Sequence, residues 1–307
     1  MQQSRLKLSL GPVLFFWPKQ QILDFYQQMA EQPLQTIYLG ETVCSRRQEL
    51  KLADWIALAK DLATTGKEII LSSQVLLESE SDLKRLRKLI EQDDFKLEAN
   101  DLTAVKLLND KQKSFVAGST LNIYNEQTLA FMQSLGASRW VTPLEMSADS
   151  LRKIIIASQG IGCEVFAWGK LPLAYSSRCF TARRYNLKKD NCQFKCMEHP
   201  DGIDLQTREH QSFLTINGIQ TMSSACYSLI ANYNALLDMG ISILRLSPQC
   251  NHMVDIIQIH ELVLTENLGY NTALKELSLL AEGPLADGYW QGKAGITNSQ
   301  EIVHADT

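Results

Sequence analysis

From residue 7 to residue 266 the chain repeats one unit, a short apolar run suited to a strand followed by apolar residues at helical spacing. "KLSLGPVLFFW" leads into Ile22, Phe25, Tyr26 and Met29, which share one helical face. "TIYLG" leads into Leu52, Trp55, Ile56, Ala59 and Leu62, a helix stopped at Gly66. "KEIILSSQVLL", with Leu83, Leu86, Leu89 and Ile90 after it, makes the third unit. "FKLEAN" is the fourth strand, with a short helix at 101–109. "SFVAGSTLNIY" is the fifth, followed by Leu129, Met132 and Leu135. "RWVTPLEM" is the sixth, followed by a helix at 148–158. "CEVFAWG" is the seventh, and "SILRLSP", followed by a helix at 252–266, is the eighth.

Eight strand–helix units predict a (β/α)8 TIM-like barrel, with a doubly wound open sheet as the alternative. Strands this apolar suit burial on both faces. The rhythm breaks once, between the seventh and eighth strands, where residues 170–240 form an insertion. Part of it, "IDLQTREHQSFLTINGIQTM", alternates and turns at Asn217-Gly218 as a hairpin does. Residues 1–307 are read as one barrel domain. In a barrel such an insertion projects from the C-terminal face, where barrel active sites lie.

The N-terminal run "LSLGPVLFFW" follows Arg5 and Lys7 and has the outline of a signal peptide. No small-x-small cleavage site follows it, so a buried first strand is expected. No later segment reaches the ~18 to 20 apolar residues of a membrane span. The expected location is the cytoplasm, where thiols stay reduced. Seven cysteines, an odd number, fit a disulfide framework poorly. A net charge of −4 argues against a general nucleic-acid binder.

The insertion carries "RCFTARRYNLKKDNCQFKC", residues 178–196. Cys192-x3-Cys196 puts two sulfurs within reach of one centre, and the loop from Cys179 is long enough to bring a third. Three thiols this close in a reducing compartment favour a metal site. Zinc is one candidate, with His199 completing a Cys3His set. An iron–sulfur cluster is the other. Its negative charge would be offset by Arg178, Arg183, Arg184, Lys188, Lys189 and Lys195, whose charge also lowers thiolate pKa values. An RNA contact is the competing reading of that basic run. The fourth ligand is not local; Cys44, Cys163, Cys226 and Cys250 remain. Cys163 and Cys226 sit in apolar runs and read as small core residues. Cys250 follows the eighth strand and stays open. Cys44, in "YLGETVCSRR", sits in a polar loop after the second strand, on the face the insertion covers, and is expected to be accessible.

"EVFAWGKLPLAYSSRCFTARRYNLKKDNCQFKC" resembles the signature of the collagenase-like peptidase family. That family's ordinary pattern places a histidine where this chain has Trp168 and a cysteine where it has Pro172. The departures resemble the ubiquinone-biosynthesis branch, the UbiV proteins. "GPVLFFWPKQQILDFYQQ", "IYLGETVCSRR", "GSTLNIYN" and "GYWQGKAG" resemble the same branch. The resemblance implies a 4Fe–4S cluster on Cys44, Cys179, Cys192 and Cys196. It implies a heterodimer with a UbiU-like sister protein, and oxygen-independent hydroxylation of the prenylated phenol precursor of ubiquinone. Prephenate is the implied oxygen donor, and a lipid-carrier protein a further partner.

Peptidase chemistry is not expected despite the family label. "HELVLTE" lacks the second histidine of a zinc-protease helix, and there is no G-x-S-x-G elbow and no Walker loop. "GIGCEV" precedes a strand, the wrong context for a dinucleotide loop. His210, His252 and His260 read as surface or helix residues. Glu41, Ser73, Glu98, Asn100, Asn122, Asn125 and Glu145 fall at strand ends, where they could line a substrate pocket. Three classes of function therefore stand: an iron–sulfur subunit of a hydroxylase, an RNA-hydroxylating enzyme, and a zinc-stabilised scaffold.

Overall fold

The computed structural model describes residues 6–158 and 160–299. Arg5, part of the signal-peptide outline, lies outside them. Six strands alternate with six helices through the first half: β1 (Lys7–Leu10), α1 (Lys19–Ala30), β2 (Thr36–Leu39), α2 (Leu52–Ala63), β3 (Glu68–Ser72) and α3 (Glu80–Glu91), then β4 (Lys96–Ala99), α4 (Leu102–Asp110), β5 (Phe115–Ala117), α5 (Glu126–Ser134), β6 (Ala137–Val141) and α6 (Ala148–Ala157). The long β7 (Gly162–Tyr175) enters the insertion, which holds α7 (Phe180–Arg184), β8 (Ile203–Gln206), β9 (Ser212–Asn217), β10 (Gln220–Ser228) and α8 (Tyr233–Asp238). The chain returns through β11 (Ile243–Leu246), α9 (Met253–Leu264), α10 (Tyr270–Leu280) and β12 (Leu285–Ala286).

Strands β1 to β7 and β11 are parallel neighbours, and β11 pairs with both β7 and β1. The sheet is thereby closed into an eight-stranded (β/α)8 barrel, and the open-sheet alternative is excluded. The helices form because their apolar residues recur on one face. Ile22, Phe25, Tyr26 and Met29 of α1 are all buried, as are Trp55, Ala59 and Leu62 of α2. These faces pack on the outside of the strands in one continuous core.

Inside the barrel the filling is partly charged. Tyr38, Ile70, Val116 and Val141 form a small apolar cluster. Around it, Arg245 donates from Nε to Glu164 and from Nη1 to Glu98, each at 2.7 Å. Glu164 also accepts from the Tyr38 hydroxyl at 2.6 Å and from Ser9 at 2.8 Å. The Arg245 guanidinium carbon lies 4.0 Å from the centre of the Tyr38 ring. Buried charges persist only when paired in this way.

β7 is the element that positions the insertion. Its first residues pair in parallel with β6 and β11; from Trp168 to Tyr175 it pairs antiparallel with β10. The insertion therefore grows out of a barrel strand, and it begins within that strand rather than at a loop. The hairpin at Asn217-Gly218 forms as expected, joining β9 to β10, and β8 adds a third strand. Among the described residues no helix is long and apolar enough to cross a membrane.

Candidate metal centre

Four cysteines line one small chamber at the C-terminal face of the barrel, Cys44, Cys179, Cys192 and Cys196, with a free volume of about 20 Å³. Each is held by its own local geometry. Cys44 follows β2 in a turn tied by Glu41, whose Oε1 accepts from the amides of Val43 at 2.9 Å and Cys44 at 3.0 Å. Cys179 is the N-cap of α7, and its sulfur accepts from the Ala182 amide at 3.3 Å. Cys192 and Cys196 flank a turn in which Gln193 and Phe194 are both left-handed, at φ 51° and 52°. That turn folds the two cysteines back toward one space.

Arg47 joins the parts. Its Nη1 donates to the Leu14 carbonyl at 2.8 Å and its Nη2 to Asn217 Oδ1 at 2.6 Å, and its guanidinium carbon lies 5.5 Å from the centre of the Phe16 ring. Its charge also acts on the Cys196 thiol, which lines the same chamber. Gly218 makes room for it: φ is +67°, and a Cβ there would sit 2.8 Å from Arg47 Nη2. Only glycine meets both demands at low cost.

Burial raises the thiol pKa values of Cys44, Cys179 and Cys196 above the ordinary range. Arg47 pulls all three back, and the thiolates oppose one another: Cys44 with Cys196, Cys179 with Cys44 and Cys192. The sequence expectation that basic neighbours would lower these values is corrected: desolvation outweighs the cations while the thiols carry no metal. The expected accessibility of Cys44 is also corrected, since it is only 9% exposed, beneath the insertion. Of the basic run, Lys189 and Lys195 line the chamber together with Arg46 and Arg47. Arg178, Arg183, Arg184 and Lys188 are exposed instead.

The other cysteines lie elsewhere. Cys163 and Cys226 are buried in the core, as read from sequence. Cys250 accepts a hydrogen bond from Gln21 Nε2 at 3.1 Å and does not line the chamber. His199 lies outside the lining as well, its Nε2 being 2.6 Å from the Tyr185 hydroxyl. Among the described residues, no three His, Cys, Asp or Glu side chains are placed to hold a single metal ion between them. The thiols surround a space rather than converge on a point.

The donor set fits an iron–sulfur cluster. It is all thiol, with no carboxylate or imidazole in the lining, and four cationic side chains border it. The Nε atoms of Arg46 and Arg47 are buried and lack hydrogen-bond partners, so two donors stand ready for sulfur acceptors. Sequence reasoning placed Arg46 and Arg47 in the polar loop of Cys44 and read Asn217-Gly218 only as a turn, and it missed that these residues and Phe194 belong to the chamber. A left-handed glycine beside an asparagine signalled a hairpin, and nothing in the sequence tied that turn to Arg47.

The strand-end polar residues divide. Glu98, Asn100, Asn122 and Glu145 line a second cavity at the barrel mouth, as does Pro172. Glu41 lies beneath the Cys44 turn, Ser73 is bonded to Asn100, and Asn125 caps α5. Trp168 is fully buried. His210 and His252 are exposed, whereas His260 on α9 is entirely buried. His260 bonds Tyr233 through Nδ1, its Nε2 has no partner, and burial lowers its pKa from 6.5 to about 3. A histidine kept neutral when folded is protonated first in the unfolded chain. Stability should therefore fall as pH drops below about 6.5, by about 1.4 kcal/mol per pH unit from this residue. Urea titrations of His260→Phe between pH 7 and 5 should show a correspondingly flatter profile; an unchanged slope would exclude His260 as the source.

A closed parallel barrel with a thiol-lined chamber under a β7–β11 insertion defines a barrel protein built around a cysteine centre. The chain belongs to Peptidase family U32, which matches residues 21–299. Among solved structures it is similar to the U32 peptidase Mk0906, at 9% identity over 81% of this chain and 95% of that one, with a TM-score of 0.45. It is also similar to the tryptophan synthase complex of Pyrococcus furiosus, at 12% identity over 90% and 98% of the two chains, TM-score 0.45. A third similar structure is the dihydropteroate synthase of Thermus thermophilus, at 11% identity over 88% and 96%, TM-score 0.43.

Proposed function

We propose that this U32-family chain is a UbiV-like iron–sulfur subunit of an oxygen-independent hydroxylase. Its substrate is the prenylated aromatic precursor of ubiquinone, its partner a UbiU-like sister protein in a heterodimer, and its oxygen donor prephenate. The observation that carries the reading is the meeting of Cys44 with Cys179, Cys192 and Cys196 in one chamber bordered by Arg46, Arg47, Lys189 and Lys195. Those four cysteines would hold a 4Fe–4S cluster, which when bound supplies one-electron transfer. The cations offset its charge, and the Phe16–Phe194 pair, with ring centres 5.8 Å apart, shields one side from water.

Anaerobic iron and sulfide analysis of the chain, alone and with its sister protein, tests this. Expected are a brown protein with matched iron and sulfide, and hydroxylation only when both subunits are present. A colourless, zinc-bearing protein would instead establish the scaffold reading, and hydroxylation by the chain alone would remove the heterodimer. An RNA substrate is the second reading, favoured by the exposure of Arg178, Arg183, Arg184 and Lys188 beside the chamber. It requires hydroxylated nucleosides to vanish from the RNA of a deletion strain.

A further inference from the structure

The barrel mouth holds a cavity distinct from the thiol chamber. Its outer part has a volume of about 270 Å³ and its inner part about 40 Å³. The two are continuous, sharing Val75, Ser119, Thr120, Leu144, Pro172 and Tyr175 as walls. The sides are apolar where Leu144, Phe166 and Pro172 face it, and the floor is the Glu98–Arg245 pair.

Tyr175, at the end of β7, stands between the cavity and the thiol chamber. A directed chain of hydrogen bonds reaches it, buried at its start and part-buried at Tyr175. Arg47 Nη2 donates to Asn217 Oδ1 at 2.6 Å, Asn217 Nδ2 donates to Gln220 Oε1 at 2.9 Å, and Gln220 Nε2 donates to the Tyr175 oxygen at 2.8 Å. Asn217 and Gln220 are 2% and 0% exposed. Every bond donates away from the Arg47 cation, so each polarises the next in the same sense. The Tyr175 oxygen is used as an acceptor, while its own O–H has no acceptor among the described residues. Burial raises its pKa, which keeps the phenol neutral and able to donate.

The charge of the floor limits what enters. Arg245 keeps Nη2 without a partner but its charge is already shared by Glu98 and Glu164, so a carboxylate or phosphate would add a third negative group beside two buried ones. A neutral oxygen acceptor carries no such penalty. The donors without partners in its lining are few, the Tyr175 hydroxyl at the side and Thr42 Oγ1 and Arg245 Nη2 deeper in, and such an arrangement binds an aromatic ring by its faces and fixes its direction through its oxygen.

We propose that the barrel-mouth cavity binds a neutral aromatic alcohol, with Tyr175 donating a hydrogen bond to its oxygen and Gln220 holding Tyr175 in place. The proposal rests on the hydroxylase reading for the nature of the ring; any apolar tail leaves through the outer cavity past Leu173 and Tyr124. Tyr175 is a binding residue and Gln220 a positioning residue.

The test uses the chain co-purified anaerobically with its sister protein. Two probes are titrated calorimetrically: a phenol bearing one short prenyl chain, and the same molecule without the hydroxyl. The wild-type protein should prefer the phenol by about five- to tenfold. Tyr175→Phe should remove that preference with iron and sulfide unchanged, and Gln220→Met should reduce it in the same way. Equal affinity for the two probes, failure to bind either, or a preference that survives Tyr175→Phe would overturn the proposal; the comparison of probes on the wild type does so without any variant. A protein that prefers the phenol yet contains no iron would sustain this pocket while removing the hydroxylase reading.

Discussion

Cys44→Ala should retain less than about a tenth of the iron and sulfide of the wild type after anaerobic desalting. Loss of a residue that merely supports a metal ligand already costs roughly 10- to 100-fold in affinity, and loss of a ligand costs more. Cys44 is the one proposed ligand supplied by the first half of the barrel, so the chamber opens on that side when it goes. The controls are specific. Cys163→Ala and Cys226→Ala should leave iron unchanged and cost about 1 kcal/mol in packing. Cys250→Ala should also keep the iron, because its sulfur faces Gln21 and not the chamber. Full iron in Cys44→Ala, with loss in Cys250→Ala, would refute the ligand set.

Arg245→Leu should destabilise the protein by ~3–5 kcal/mol, because it leaves Glu98 without a cation and Glu164 with only the more distant Arg139 inside the barrel. Both carboxylates keep some support, Glu98 from Ser72 at 2.7 Å and Glu164 from Tyr38 and Ser9. None of those partners is charged, and the cation that stays near Glu164 is Arg139, at 3.7 Å. Adding Glu98→Gln and Glu164→Gln to Arg245→Leu should recover most of the loss, since the remaining groups are neutral and still hydrogen-bonded. Urea midpoints for the single and triple variants decide the matter. A single variant as stable as the wild type would mean that the carboxylates are already neutral in the folded protein.

The barrel was legible because its signal is redundant: each unit states a strand and then a helix, and eight statements agree. Boundaries were less so. "KLSLGPVLFFW" reads as one long strand, yet β1 ends at Leu10, just before Gly11 and Pro12, where proline lacks the N–H a ladder needs. "SFVAGSTLNIY" yields only three paired residues, Phe115–Ala117. β7 was underestimated, since "CEVFAWG" gives no sign that the strand continues to Tyr175 with new partners. α10 and β12 went unread although Ala273 and Leu277 mark a buried face, because eight units were already complete.

The charged interior was not legible for a different reason. Glu98 and Arg245 lie 147 positions apart, and each looks like a lone charge in an apolar run. Only the register that sets β4 and β11 around a common axis makes them a pair. Cys44 shows the mixed case. Its position after β2 follows from the barrel rhythm, but its burial depends on the insertion folding over it, and local polarity says nothing of that.

Closure of the barrel by β1 against β11 carries a consequence for biogenesis. Lys7 pairs with Ile243, so the first barrel strand waits for the eighth. At roughly 5–20 residues per second, Cys44 emerges roughly 10 to 40 s before the strand that completes the ring. The insertion cysteines emerge in between, and the chamber they share with Cys44 depends on Arg47, Leu14 and Asn217 meeting in the finished fold. A nascent chain therefore offers separated thiols and no cavity. The space that the four thiols share is therefore a late product of synthesis, formed only once the ring has closed and the insertion has folded over Cys44.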